Sequence, residues 1–71
     1  MNKGKEVLRL HLNIKGIRID RNLTQEELAA KSGVSRQTIC ALENKESVSA
    51  KVETLAKLAS ALDVNVSDFF K

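Results

Sequence analysis

Apolar side chains recur along this chain at spacings of three and four residues, the period that gathers them on one face of a helix. Between Glu6 and Arg21 the row Val7, Leu10, Ile14, Ile17 predicts a first helix facing a core. Leu8, Leu12 and Ile19 lie off that row. They make either a wide core-facing stripe, the favoured reading, or a surface that meets a partner. Gly16 costs about 1 kcal/mol inside such a helix. Asn22 suits the left-handed position that closes one. Leu28, Ala29, Val34, Ile39 and Leu42 then form a shared apolar face over two shorter patterns, about Gln25–Ser32 and Arg36–Asn44. A fourth pattern, Ala50–Leu62, turns Val52, Leu55, Leu58, Ala59 and Leu62 inward, with Ser49 as its N-cap and 45–48 as a loop before it. Asp63 interrupts the row. Asn65 caps a last short turn with Asp68 three residues on, and Val64, Val66 and Phe69 close the core. The expectation is an all-α, compact domain of four to five helices spanning residues 1–71, without strands, repeats or linkers.

The middle of the chain carries the punctuation. Thr24 followed three residues later by Glu27 is a capping box, in which each residue satisfies a backbone N–H of the other. Gly33 can take the left-handed conformation that ends a helix, and Ser35 is a good N-cap for the next. Ala29 is small where the two helices must pass closely. Two short helices joined by a tight glycine turn make a helix-turn-helix, a unit that presents its second helix to the major groove of DNA.

The same residues resemble a known family. Leu23-Thr24-Gln25-Glu26-Glu27-Leu28-Ala29, then Ser32-Gly33-Val34-Ser35, Ile39 and Leu42-Glu43-Asn44 are similar to the lambda-repressor/Cro (XRE-like) helix-turn-helix proteins. The likeness takes in Ile14, Ile17 and Arg18 upstream, and downstream Thr54 to Ala59, Ala61-Leu62 and Val64, roughly residues 10 to 70. The chain departs from the family pattern at Asn22 and Lys45, where many relatives carry glycine. No proline precedes the fourth helix, and the connection from Lys45 to Val52 is one residue longer than usual.

Composition narrows the class. At 71 residues and with one cysteine, an internal disulfide is impossible, and no Cys/His cluster suggests a metal. A core this small is commonly supplemented by oligomerisation. The start, Met1-Asn2-Lys3-Gly4-Lys5, reads as a polar lead-in rather than a signal peptide. No apolar run reaches membrane-spanning length, so a cytoplasmic protein is expected. The net charge is +3. Residues 1–24 hold six cations against two carboxylates, residues 25–45 are neutral, and 46–71 have one excess carboxylate. That balance permits nucleic-acid binding without requiring it.

The candidate chemistry lies in two clusters. At the start of the third helix, Arg36 can pair with guanine O6/N7 and Gln37 with adenine N6/N7. The resemblance implies that Arg36, Gln37 and Ala41 face the groove, Ala41 offering only a methyl to thymine. Thr38 and Ser35 can add a base or phosphate contact. The second cluster holds the DNA backbone. Gln25 at the N-terminus of the second helix is placed to meet a phosphate, and the resemblance implies the same for Gln25 and Asn44, with Lys45 beside it. The resemblance also implies that Arg18 and Glu43 form a structural ion pair. The alternative is mere solvation for Arg36 and Gln37, and two unrelated surface charges for Arg18 and Glu43. Lys31 is read as a solvated lysine, His11 as a surface histidine and Cys40 as half-buried. The adjacent pair Phe69-Phe70 cannot both face a core, so it marks a dimer interface, with Phe70 the better candidate.

These readings converge on a sequence-specific, double-stranded-DNA-binding transcriptional regulator, expected to repress, acting as a homodimer on a palindromic operator. No cofactor, small-molecule substrate or enzyme chemistry is indicated: there is no paired-carboxylate site and no phosphate-binding glycine loop. The rival is a helical protein-interaction module or an antitoxin-type partner-binding protein.

Overall fold

The computed structural model describes residues 12–44 and 50–70. These form helices α1 (Ile14–Asp20), α2 (Gln25–Ser32), α3 (Arg36–Glu43) and α4 (Val52–Leu62), followed by a 3-10 turn over Val66–Phe70. Among the described residues there is no strand, and the all-α expectation holds.

Helix ends follow local chemistry. The capping box at α2 is complete: the Glu27 N–H donates to Thr24 Oγ1 at 3.0 Å, and the Thr24 N–H donates to Glu27 Oε1 at 2.8 Å. Ser35 caps α3 by accepting from the Thr38 N–H at 3.2 Å. Gly33 closes α2 at φ 80°, its N–H on the Ala29 carbonyl. Asn22 closes α1 at φ 59°, with Asn22 N–H on Ile19 O and Leu23 N–H on Arg18 O. Asp63 does the same for α4 at φ 61°, with Asp63 N–H on Ser60 O and Val64 N–H on Ala59 O. Each such closure satisfies carbonyls that the helix end would otherwise leave unpaired.

Two helix bounds differ from what the periodicity predicts. The first helix was expected to run unbroken from Glu6, but Leu12 and Asn13 are not helical and α1 begins at Ile14. The Asn13 N–H is used elsewhere, donating to the Phe69 carbonyl at 2.8 Å and tying this point of the chain to the C-terminal turn. Val7, Leu8, Leu10 and His11 lie outside the described residues. A Cβ at Gly16 would overlap Asn13 Oδ1, so the missing side chain leaves room for that amide. The fourth helix begins at Val52, not Ala50, after an extended Lys51 that makes no side-chain cap. Ser49 and the 45–48 loop are likewise outside the described residues.

The core is a single cluster. Ile14, Leu28, Ile39, Leu58, Leu62 and Phe69 are fully buried, with Val34, Leu42, Leu55 and Ala59 nearly so. A buried side chain of this size contributes about 1.5–3 kcal/mol. Helix α2 is the hub: it packs on both α3 and α4, while α1 packs on α3 and the 3-10 turn on α4. Val52, expected inside, is 76% exposed, because the inward row of α4 begins a turn later at Leu55. Ile19 is also exposed, whereas Leu12 packs against the core. Of the off-row residues that are described, Leu12 and Ile19 therefore do not share one core-facing stripe, and Leu8 lies outside the described residues. Phe69 is the plug at the C-terminal end, and Phe70 points outward at 45% exposure.

Candidate nucleic-acid interface

Helix α3 divides cleanly. Ile39 and Leu42 are buried, whereas Arg36, Gln37, Thr38, Cys40 and Ala41 are exposed. The exposed residues include the four expected to meet bases. Cys40 departs from its half-buried expectation: it lies on the open face, where Asn44 Nδ2 is 3.8 Å from its Sγ. The helix makes only two turns, and its inward positions are already filled by Ile39 and Leu42. At the start of α3 the Ser35 hydroxyl donates to Thr38 Oγ1 at 2.9 Å, leaving the Thr38 hydroxyl free to donate outward.

A shallow groove runs along one edge of this face. Gln37, Thr38, Ala41 and Leu42 line it from α3, Thr54 from the first turn of α4, and Ala50 and Lys51 from the two residues before that helix. Lys51 and Thr54 thus flank the exposed face of α3, a placement that no local sequence signal marks because it depends on how α4 docks. Lys45, expected beside Asn44 on a phosphate, lies outside the described residues. Asn44 itself is the exposed C-cap of α3.

Beneath this surface, Arg18 and Glu43 meet. Arg18 Nε donates to Glu43 Oε2 at 2.7 Å and Nη2 to Oε1 at 3.0 Å, while Nη1 donates to the Leu23 carbonyl at 2.7 Å. Their side chains are only 10% and 3% exposed. Arg18 thereby links the end of α1, the loop before α2 and the end of α3. Glu43 accepts a further bond from Gln25 Nε2 at 3.0 Å. Burial pushes the Glu43 carboxyl up, but the hydrogen bonds from Arg18 and Gln25, with the nearby charges of Arg18 and Lys15, outweigh it and hold the group below the ordinary carboxylate value. The bond to Glu43 likewise raises the Arg18 guanidinium against the cost of its burial.

The network continues to the surface. Gln25 is held at both ends of its amide: Nε2 donates to Glu43, and Oε1 accepts from Arg36 Nε at 3.3 Å. Arg36 Nη1 donates to Glu26 Oε2 at 3.4 Å. A residue read from sequence as a phosphate contact and another read as a base contact are therefore in contact with each other. Glu26 was not singled out in the sequence, since its link to Arg36 exists only when α2 and α3 are folded together. Of the two aromatic residues assigned to an interface, Phe69 is fully enclosed and only Phe70 is available to another molecule.

Two helices joined by the short turn at Gly33, with a polar and exposed second helix fixed from beneath by a buried ion pair, define a helix-turn-helix protein. The chain belongs to the helix-turn-helix family HTH_3, which it matches over residues 14–69. It is 47% identical over 49 residues to an uncharacterised HTH-type transcriptional regulator of Methanocaldococcus jannaschii, covering 69% of this chain and 73% of that one. Its fold is similar to the crystal structure of an HTH_3 family transcriptional regulator from Vibrio cholerae, with a TM-score of 0.80 and 32% identity over 90% of this chain. This chain spans 36% of the length of that protein. A hypothetical transcription factor from Neisseria superposes with a TM-score of 0.77 at 32% identity, covering 90% of this chain and 75% of the other. Among the described residues no helix is long and apolar enough to cross a membrane, and no group of three or more His, Cys, Asp or Glu is placed to hold a metal ion.

Proposed function

We propose that this chain binds a palindromic DNA operator as a homodimer, reads it with α3 in the major groove, and represses transcription by occupying that site. The observation that carries the reading is the exposed first turn of α3, where Arg36 and Gln37 stand clear of the core on a helix fixed by the Arg18–Glu43 pair. Each of the two ends in a planar group suited to paired hydrogen bonds with one base. The N-terminus of α2 at Gln25, which touches Arg36 of α3, keeps the first-turn N–H groups that the Thr24 cap does not take; the DNA backbone settles there and against Ser35 and Asn44. The relatives named as transcriptional regulators support the same use. Two α3 helices of a dimer must stand about 34–36 Å apart to enter successive major grooves on one side of the duplex. Phe70 is the contact we assign to that dimer, as the aromatic residue left outside the core.

The test is a selection on randomised duplex DNA, followed by affinities for single-base variants of the selected site at fixed salt. Arg36→Ala and Gln37→Ala are each expected to flatten preference at one base pair per half-site by about 1–3 kcal/mol. Unchanged ranking of the variants in both mutants would show that α3 is not the reader.

A further inference from the structure

We propose that Glu26 is a specificity-determining positioning residue that acts through Arg36. The inference rests on the DNA-binding reading above and adds a residue to it. In the free protein the Arg36 guanidinium has partners on α2: Nε donates to Gln25 Oε1 at 3.3 Å and Nη1 lies 3.4 Å from Glu26 Oε2. Gln25 cannot simply follow Arg36 outward, because its Nε2 is anchored on the nearly enclosed Glu43 carboxylate. Arg36 is thus moored to the first turn of α2 by one fixed amide and one carboxylate.

The mooring sets a threshold. A guanidinium that contacts a guanine through two parallel bonds gains enough to leave Glu26. A guanidinium offered a single phosphate oxygen exchanges one charged partner for another and gains little. On DNA lacking the right base, Arg36 therefore stays mostly moored and adds less to backbone affinity than an unpaired arginine would. On the right base it swings out and contributes fully. Glu26 converts a cation that would attract any phosphate into one that responds to a base. The Arg36–Glu26 pair is exposed, with side chains 59% and 72% accessible, so the threshold is modest, corresponding to about a two- to five-fold effect on affinity.

The experiment is a double-mutant cycle of Glu26→Gln and Arg36→Ala, read as affinity for the selected operator and for a scrambled duplex across a salt series. Glu26→Gln in the wild-type background should strengthen scrambled-DNA binding more than operator binding, lowering the ratio of the two by about two- to five-fold. Its scrambled-DNA salt dependence should steepen by a fraction of the ~0.9 log–log slope that one fully neutralised phosphate gives. In the Arg36→Ala background Glu26→Gln should leave the ratio unchanged. Equal strengthening on both DNAs, in both backgrounds, would mean that Glu26 merely repels phosphates, and would overturn the proposal while leaving the DNA-binding reading intact. Failure of the wild-type protein to distinguish operator from scrambled DNA would overturn both. Thermal unfolding of each variant separates these outcomes from loss of fold, which is not expected at so exposed a carboxylate.

Discussion

Consider the removal of Glu43. Arg18 would lose two of its three hydrogen bonds, those at 2.7 and 3.0 Å, and keep only the Leu23 carbonyl. Its side chain is 10% exposed, so water could not readily replace the lost carboxylate. Stranding one member of a buried pair costs about 3–5 kcal/mol. A chain of this size has total stability of only about 5 kcal/mol. Glu43→Ala is therefore expected to leave about 0–2 kcal/mol of stability, with up to about half of the population unfolded at room temperature, and Arg18→Ala to do the same by leaving the carboxylate unpaired. Replacing both, as Arg18→Met with Glu43→Leu, should cost clearly less than the two single losses together, because no buried charge is left without a partner.

The assay is urea denaturation followed by helix circular dichroism, with a folding-promoting salt or osmolyte if the single variants are too unstable to measure. Acid adds a second reading. Glu43 is held below its ordinary value in the folded state, so its contribution is complete above the unfolded carboxylate range and is lost as pH falls through the lowered folded value. The stability gap between wild type and Glu43→Gln should accordingly be largest near neutrality and shrink in acid. Additive single losses, or a gap that does not change with pH, would refute the argument.

Three further outcomes are expected. Phe69→Ala should cost about 3–5 kcal/mol because its ring is fully buried, while Phe70→Ala should leave unfolding nearly unchanged and weaken self-association in sedimentation. Asn22→Ala and Asp63→Ala, each at a positive φ, should lose about 1 kcal/mol in denaturant unfolding, and glycine at either position should recover it. Gln25→Ala should alter the base preference as well as the overall affinity in an operator-variant panel, since its amide holds Arg36; uniform weakening of all sequences would mean that it contacts only the backbone.

Much of the fold could be read from the chain because its signals are local. Thr24 and Glu27, Gly33, Ser35 and Asn22 each answer to a backbone hydrogen bond or a dihedral angle within a few residues, and all five behave as their chemistry predicts. The spacing of Leu28, Ile39, Leu55, Leu58 and Leu62 names core positions because helix geometry alone puts them on one face. The pairing of Arg18 with Glu43 came from family likeness, not from spacing, since the residues lie 25 positions apart. Where local pattern failed, contact between distant segments decided. The start of α1 was set by the Phe69 carbonyl, which takes the Asn13 N–H. Val52 and Ile19 carry the right hydrophobicity for a core but stand exposed in the folded chain. Cys40 is exposed because two inward positions already complete the buried side of so short a helix. The mooring of Arg36 by Gln25 and Glu26 spans two helices, and only their packing brings it into being: sequence supplies the donors and acceptors, but which of them meet is a property of the assembled fold.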